Sequence, residues 1–216
     1  MTTVLPCGDQ GVTWEAVERA AEVIRGGGVV AYPTETVYGL GASALHEAAL
    51  EQLYRLKQRQ RHKPLSILIE DQNGLEGLVQ TIPAGARALI ARFWPGPLTL
   101  VFLVARHLPA VLTGGGDKVG VRVSSHPVAR ELVRAVGTPI TATSANQSGA
   151  PSCRTGEEVL RQLGGRLEFI LDGGLTPRSE GSTIVDVTVE PPKMVRVGAI
   201  AVDEVLRCWR QGAVLR

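Results

Sequence analysis

The chain has 216 residues, with 23 Lys+Arg against 21 Asp+Glu and a formal charge of +2. That length suits one domain with a sizeable core, and 44% hydrophobic with 20% charged residues excludes a disordered or fibrous chain. The near balance of charge excludes a strongly basic nucleic-acid coat and an acidic tail, while 25 Gly and 13 Pro imply many tight turns.

In chain order, Thr13 is placed to cap a helix that buries Trp14, Val17, Ala21 and Ile24 and ends at Gly26-Gly27-Gly28. VVAYP is a short strand stopped by Pro33, and a helix around Glu47 to Leu56 carries Leu50, Leu53 and Tyr54 on one face. LSILI (65–69) reads as a buried strand, Ala84 to Phe93 as a helix and LTLVFLV (98–104) as a core strand. VGVRV (119–123) alternates like a strand, and Pro127 opens a helix burying Val128, Leu132 and Val136. PITAT is another strand, and a capping box from Thr155 to Glu158 starts the next helix. FILD, TIVDVT and MVRV are late strands, and Val202 to Trp209 is a terminal helix. Strands and helices interleave without strict alternation, so the expectation is a mixed-sheet α/β or α+β domain rather than a regular doubly wound one. The whole of 1–216 reads as a single domain, with a core over about 12–200 and a helical tail over 201–216.

The odd, widely spaced Cys7, Cys153 and Cys208 form neither a C-x-x-C nor a disulfide framework, which points to a reducing cytoplasm. The start, MTTVLPCGDQGVTWEA, lacks the cationic and apolar runs of a signal peptide. The most apolar segment, Phe93 to Ala105, is 13 residues long and is broken by Pro95, Gly96 and Pro97, too short to span a bilayer. A soluble cytoplasmic protein is expected.

No G-x-x-x-x-G-K-[ST], G-x-G-x-x-G or G-x-S-x-G occurs, and no His pair has metal-ligand spacing. His46, His62, His107 and His126 are scattered and read as exposed surface residues. Four other segments carry the chemistry. In PTETVYGLGAS (33–43), Thr34 and Thr36 can hydrogen-bond a small polar ligand, and Gly39 and Gly41 permit close backbone approach; a plain polar turn is the alternative. In RLKQRQRHKPLS (55–66), Arg55, Lys57, Arg59, Arg61 and Lys63 fall within nine residues that contain no acid. Two of the protein's four lysines lie there, so Lys57, Arg59 and Arg61 leaving a helix end could converge on a polyphosphate rather than form a solvated run. PITATSANQSGAPS (139–152) offers Ser144, Asn146, Ser148 and Ser152 as neutral donors for phosphate or ribose, with Gly149 for a tight turn. Arg122 sits inside an otherwise apolar strand, either partly exposed or in a pocket that receives a carboxylate.

From about Val12 to Ile200 the chain resembles the YrdC-type threonylcarbamoyl-AMP synthases in their short form: PTETVYGLG, the K-x-R of Lys57-Gln58-Arg59 followed by KPL, FWPGPLTLV, VGVRV, the S-x-N of Ser144-Ala145-Asn146, and STIVD occur in family order. The resemblance implies a twisted mixed sheet curved around a large, positively charged cavity with flanking helices. It implies synthesis of threonylcarbamoyl-AMP and pyrophosphate from L-threonine, bicarbonate and ATP, for modification of the tRNA adenosine next to the anticodon. Carried over by motif, Lys57, Arg59, Ser144 and Asn146 would form the catalytic set, and Lys57, Arg61, Lys118, Ser144, Ser152 and Arg196 would hold ATP. Thr34, Ser66, Arg122, Ala142 (by its backbone) and Ser182 would frame threonine, with Arg122 on its carboxylate. No carboxylate cluster stands out as a metal site, so Mg²⁺ would be carried mainly by the phosphates of ATP. Gln60 replaces the proline that commonly follows K-x-R in the family, and Ser66 lies where some relatives carry histidine. Implied partners are tRNA or double-stranded RNA and the proteins that transfer the threonylcarbamoyl group. The competing readings are an RNA- or nucleotide-binding paralogue without synthase activity, and carbamoyl transfer as in hydrogenase maturation proteins, whose zinc-finger-like cysteines this chain lacks.

Overall fold

A computed structural model describes residues 1–7, 14–105 and 108–214. The elements in chain order are β1 (Thr3–Pro6), α1 (Trp14–Arg25), β2 (Val30–Tyr32), β3 (Gly39–Gly41), α2 (Glu47–Lys57), β4 (Ile67–Leu68), α3 (Ala84–Phe93), β5 (Leu98–Leu103) and α4 (Ala110–Thr113). They continue with β6 (Lys118–Arg122), α5 (Pro127–Val136), β7 (Ile140–Thr141), β8 (Thr143–Ser144), α6 (Gly156–Leu163), β9 (Phe169–Asp172), β10 (Thr183–Asp186), β11 (Lys193–Arg196) and α7 (Val202–Val214).

The mixed α/β class stands, and the sheet is divided in two: a five-stranded sheet in the order β1-β9-β2-β3-β8 and a six-stranded sheet in the order β11-β10-β5-β6-β4-β7. Both mix parallel and antiparallel neighbours; β2 runs parallel to β9 and antiparallel to β3, and β5 parallel to β10 and antiparallel to β6. Strand alternation sorts side chains into two cores. Val29 and Ala31 join one cluster with Leu50, Leu53 and Phe102, while Val30 and Tyr32 join the other with Ile24, Leu132 and Val133. Helices α1 and α5 pack together over the second cluster, and α7 packs on α3 against the first. Among the described residues no helix is long and apolar enough to cross a membrane.

Several local expectations change. Thr13 and His107 lie outside the described residues, so the proposed cap and one surface histidine are not described. Trp14 is 62% exposed; it stacks under the Arg134 guanidinium at 5.4 Å instead of joining the core. The strand expected over 65–69 pairs only at Ile67 and Leu68, and TIVDVT stops at Asp186, whose side chain accepts from the Thr188 N–H and hydroxyl. PITAT is two strands, because the chain leaves the six-stranded sheet after Thr141 and enters the other at Thr143. Thr155 caps the Glu158 N–H, but Glu158 accepts from Arg154 N, one residue before the position a capping box requires. His126 is half-buried rather than exposed, with its Nδ1 buried and unpartnered. His46, although exposed, is the N-cap of α2 and accepts from Ala49 N at 3.2 Å.

Candidate functional site

The site begins where α2 ends. Gln58 adopts a left-handed conformation (φ 52) and the Arg59 N–H turns back to the Tyr54 carbonyl, so Lys57 and Arg59 leave in different directions. Lys57 is 2% exposed. Its ammonium donates to the Ser144 carbonyl, to the Asn146 carbonyl at 2.7 Å and to Asn146 Oδ1 at 3.4 Å. Asn146 is locked by its own amide, which donates to Gln147 O and Ala150 O, and the Ser144 hydroxyl donates to Asn146 Oδ1. The lysine of K-x-R and the S-x-N loop are therefore one hydrogen-bonded unit. Burial, with the Arg59 charge adding to it, pushes the Lys57 pKa down to about 7.

Beside this unit opens a cavity of about 420 Å³ lined by strands of both sheets. Of the residues singled out in the sequence, Thr34, Thr36, Gly39, Arg59, Ser66, Arg122, Ala142, Ser144, Ser152, Ser182 and Arg196 line it. Lys57 and Asn146 line an adjoining depression that shares Arg59 and Ser144. Arg61 and Lys118 line neither: Arg61 pairs with Glu51 at 2.6 Å on the surface, and Lys118 pairs with Asp186 at 2.8 Å. The expected convergence of Lys57, Arg59 and Arg61 thus does not occur.

The guanidiniums of the cavity differ in their partners. Arg59 donates to the Lys63 and Pro64 carbonyls at 3.2 and 2.9 Å. Arg196 donates to the Ser182 carbonyl at 3.0 and 2.8 Å and to its hydroxyl at 3.1 Å, and that hydroxyl meets Thr99 Oγ1 at 2.8 Å. Burial lowers the pKa of both, and for Arg196 the charges of Arg122 and Arg59 lower it further. Arg122 instead pairs with Glu35 at 2.8 Å, donates to Gly96 O at 3.1 Å, and reaches Thr36 Oγ1 through both terminal nitrogens at 3.3 and 3.2 Å. Thr34 shares a hydrogen bond with Thr36 at 2.9 Å and donates to the Val37 carbonyl at 2.7 Å, so its hydroxyl is committed within its own loop. Ala142 donates its N–H to Ser66 O at 2.7 Å, which pins the joint between β7 and β8 at the cavity wall.

Tyr32, Tyr38, Thr99, Glu180 and Gly181 also line the cavity, although the sequence does not single them out, and Glu35 is the partner of Arg122. Glu35 lay within PTETVYG, but nothing local links it to Arg122. Gly39 and Gly41 permit a close approach by Tyr32, not by a ligand alone: a Cβ at Gly39 would lie 2.8 Å from Tyr32 Cζ and one at Gly41 3.1 Å from its Cε1. The Tyr38 hydroxyl is tied to Asp172 Oδ1 at 3.0 Å and Gly174 O at 2.9 Å, and burial raises its pKa. Among the described residues no group of three His, Cys, Asp or Glu is arranged to hold a metal ion.

A cavity with mutually close guanidiniums, hydroxyls and one carboxylate, Glu180, can bind anions and orient them, and it offers no buried nucleophile–base pair. Comparison with known proteins gives this architecture relatives. The chain is 42% identical over 205 residues to the threonylcarbamoyl-AMP synthase of Pyrococcus abyssi (strain GE5 / Orsay), covering 95% of this chain and 60% of that protein. It therefore spans less than two thirds of that relative's length. It is 38% identical over 205 residues to the putative threonylcarbamoyl-AMP synthase of Mycobacterium tuberculosis (strain ATCC 25618 / H37Rv), covering 95% of this chain and 94% of that protein. The crystal structure of P. abyssi Sua5 complexed with L-threonine matches with a TM-score of 0.93 at 40% identity, over 96% of this chain and 61% of that one. The family model Sua5_yciO_yrdC, described as telomere recombination, matches residues 22–198. That span contains every residue lining the cavity, and the chain belongs to the Sua5/YciO/YrdC family.

Proposed function

We propose that this chain is an L-threonylcarbamoyladenylate synthase, a nucleotidyltransferase that converts L-threonine, bicarbonate and ATP to threonylcarbamoyl-AMP, pyrophosphate and water. The observation that carries the reading is the cavity itself: Arg59 and Arg196 line it without a carboxylate partner among the described residues, beside the hydroxyls of Ser66, Ser144, Ser152 and Ser182. Threonine's amine and bicarbonate combine with loss of water to a carbamate, whose oxygen attacks the α-phosphate while pyrophosphate leaves with the electrons of the broken P–O bond. Such a step is served by positioning and charge neutralisation rather than by a covalent nucleophile, which suits the residues present.

In this reading Arg59, Arg196, Ser144 and Ser152 face the nucleotide, and Ser66, Ser182, Arg122 and the Ala142 backbone face threonine. Lys57 and Asn146 act by holding the 144–146 loop. Thr34, Arg61 and Lys118 contribute to ligands only by exchanging their present partners. A single lining carboxylate, Glu180, gives a divalent cation little protein ligation, so Mg²⁺ would enter on the ATP phosphates. The product would pass in the cytoplasm to proteins that transfer the threonylcarbamoyl group to tRNA. Pyrophosphate release from ATP, measured with and without L-threonine and bicarbonate, tests the proposal: release should require both, and release indifferent to threonine overturns it.

A further inference from the structure

Of the cavity's three guanidiniums, only Arg122 has a carboxylate against it among the described residues. Glu35 is not a lining residue; it sits behind Arg122, its side chain 14% exposed. Its position is built from three sides: Arg122 Nη2 at 2.8 Å, the Ser124 hydroxyl, and the Ser125 N–H at 3.1 Å. Despite burial, Arg122 and these donors hold its carboxyl below the ordinary range, so it is charged at neutral pH. The donor count on Arg122 is equally constrained. A guanidinium has five N–H donors. Nε is used by Gly96, Nη2 by Glu35 and Thr36, and Nη1 once by Thr36, which leaves one Nη1–H for a ligand.

We propose that Glu35 is a specificity-determining residue: by neutralising Arg122 from behind, it makes that end of the cavity accept a single carboxylate and reject a phosphate chain. Arg59 and Arg196, paired only with carbonyls and a hydroxyl, keep their full charge for phosphates. A phosphate group needs several charge-assisted donors and net positive potential; one N–H on a neutral ion pair supplies neither, yet suffices to orient a carboxylate that neighbouring hydroxyls also hold. The direction in which two anionic substrates lie in the cavity follows from this difference. The inference rests on the synthase reading for the identity of the carboxylate ligand, though not for the phosphate rejection.

Calorimetric titration with inorganic pyrophosphate and with L-threonine tests it on wild type, Glu35→Gln and Glu35→Gln/Arg122→Met. Glu35→Gln should bind pyrophosphate at least about tenfold more tightly than wild type, with pyrophosphate now competing with threonine. The double variant should lose that gain. Unchanged pyrophosphate affinity in folded Glu35→Gln, or a gain that persists in the double variant, overturns the proposal. Wild type also carries a test should Glu35→Gln fail to fold: saturating pyrophosphate should leave its threonine affinity within about twofold, and mutual exclusion of the two overturns the filter. A pyrophosphate gain in Glu35→Gln without any threonine binding to wild type supports the filter and sinks the synthase reading instead.

Discussion

A lysine ammonium carries three N–H donors, and at Lys57 three carbonyl oxygens meet them, all from Ser144 and Asn146. Those oxygens favour the ammonium; burial and Arg59 favour the amine and dominate, so the pKa falls to about 7 from 10.5. A lowered lysine pKa means that the unfolded chain binds the extra proton between those two values. Stability should therefore rise with pH across that window. Lys57→Met removes the titration and takes the donor from Asn146 O, while Ser144 O keeps the Asn146 N–H and Asn146 Oδ1 keeps the Ser144 hydroxyl; this should cost about 1–3 kcal/mol and, on the proposed function, most of the pyrophosphate release. Urea unfolding of both proteins at neutral pH and near the upper end of the window checks this: the gap between wild type and variant should widen with pH, and a constant gap refutes the shifted lysine. The motif pair is legible in the sequence as K-x-R and S-x-N. That the lysine of the first is consumed by the second is not, since 87 residues separate Lys57 from Ser144.

Elements with strong local periodicity read correctly from the chain. The helix over Ala84–Phe93 and the Pro127 helix start form as expected, because their apolar spacing and end residues are local instructions. Trp14 misleads for the opposite reason: it falls on the apolar spacing of α1, but α5 offers it Arg134 rather than a core. PITAT looks continuous because β propensity does not record a change of partner, whereas Ile67 pairs with Thr141 and Gly39 with Ser144, in different sheets. The contact between α3 and α7 depends on small residues that the sequence does not flag. A Cβ on Gly85 would lie 2.5 Å from the Trp209 ring. Gly85→Ala should therefore destabilise by about 1–3 kcal/mol, outweighing the helix propensity it gains, about 1 kcal/mol. A raised urea midpoint for this variant contradicts the packing.

For the whole molecule, the two apolar clusters share β2 and β4: Ala31 and Ile67 face one, Tyr32 and Leu68 the other. Leu50 and Leu132, fully buried in different clusters, should therefore unfold as parts of one cooperative unit. Leu50→Ala and Leu132→Ala should each cost about 2–5 kcal/mol and shift a single transition seen alike by far-ultraviolet circular dichroism and tryptophan fluorescence; two separated transitions in either variant show independent cores. By itself the sequence determined what is local: most helices and strands, the mixed class, and the segments that supply arginines, hydroxyls and the loop at 144–146. Only the tertiary structure decided which charges remain free. Arg122 is met by Glu35, Lys118 by Asp186 and Lys57 by the S-x-N carbonyls, while Arg59 and Arg196 keep their charge facing the cavity. Each of the first three pairings joins residues far apart in the chain, and electrostatic neutralisation acts through space, so a count of cations along the sequence cannot reveal it.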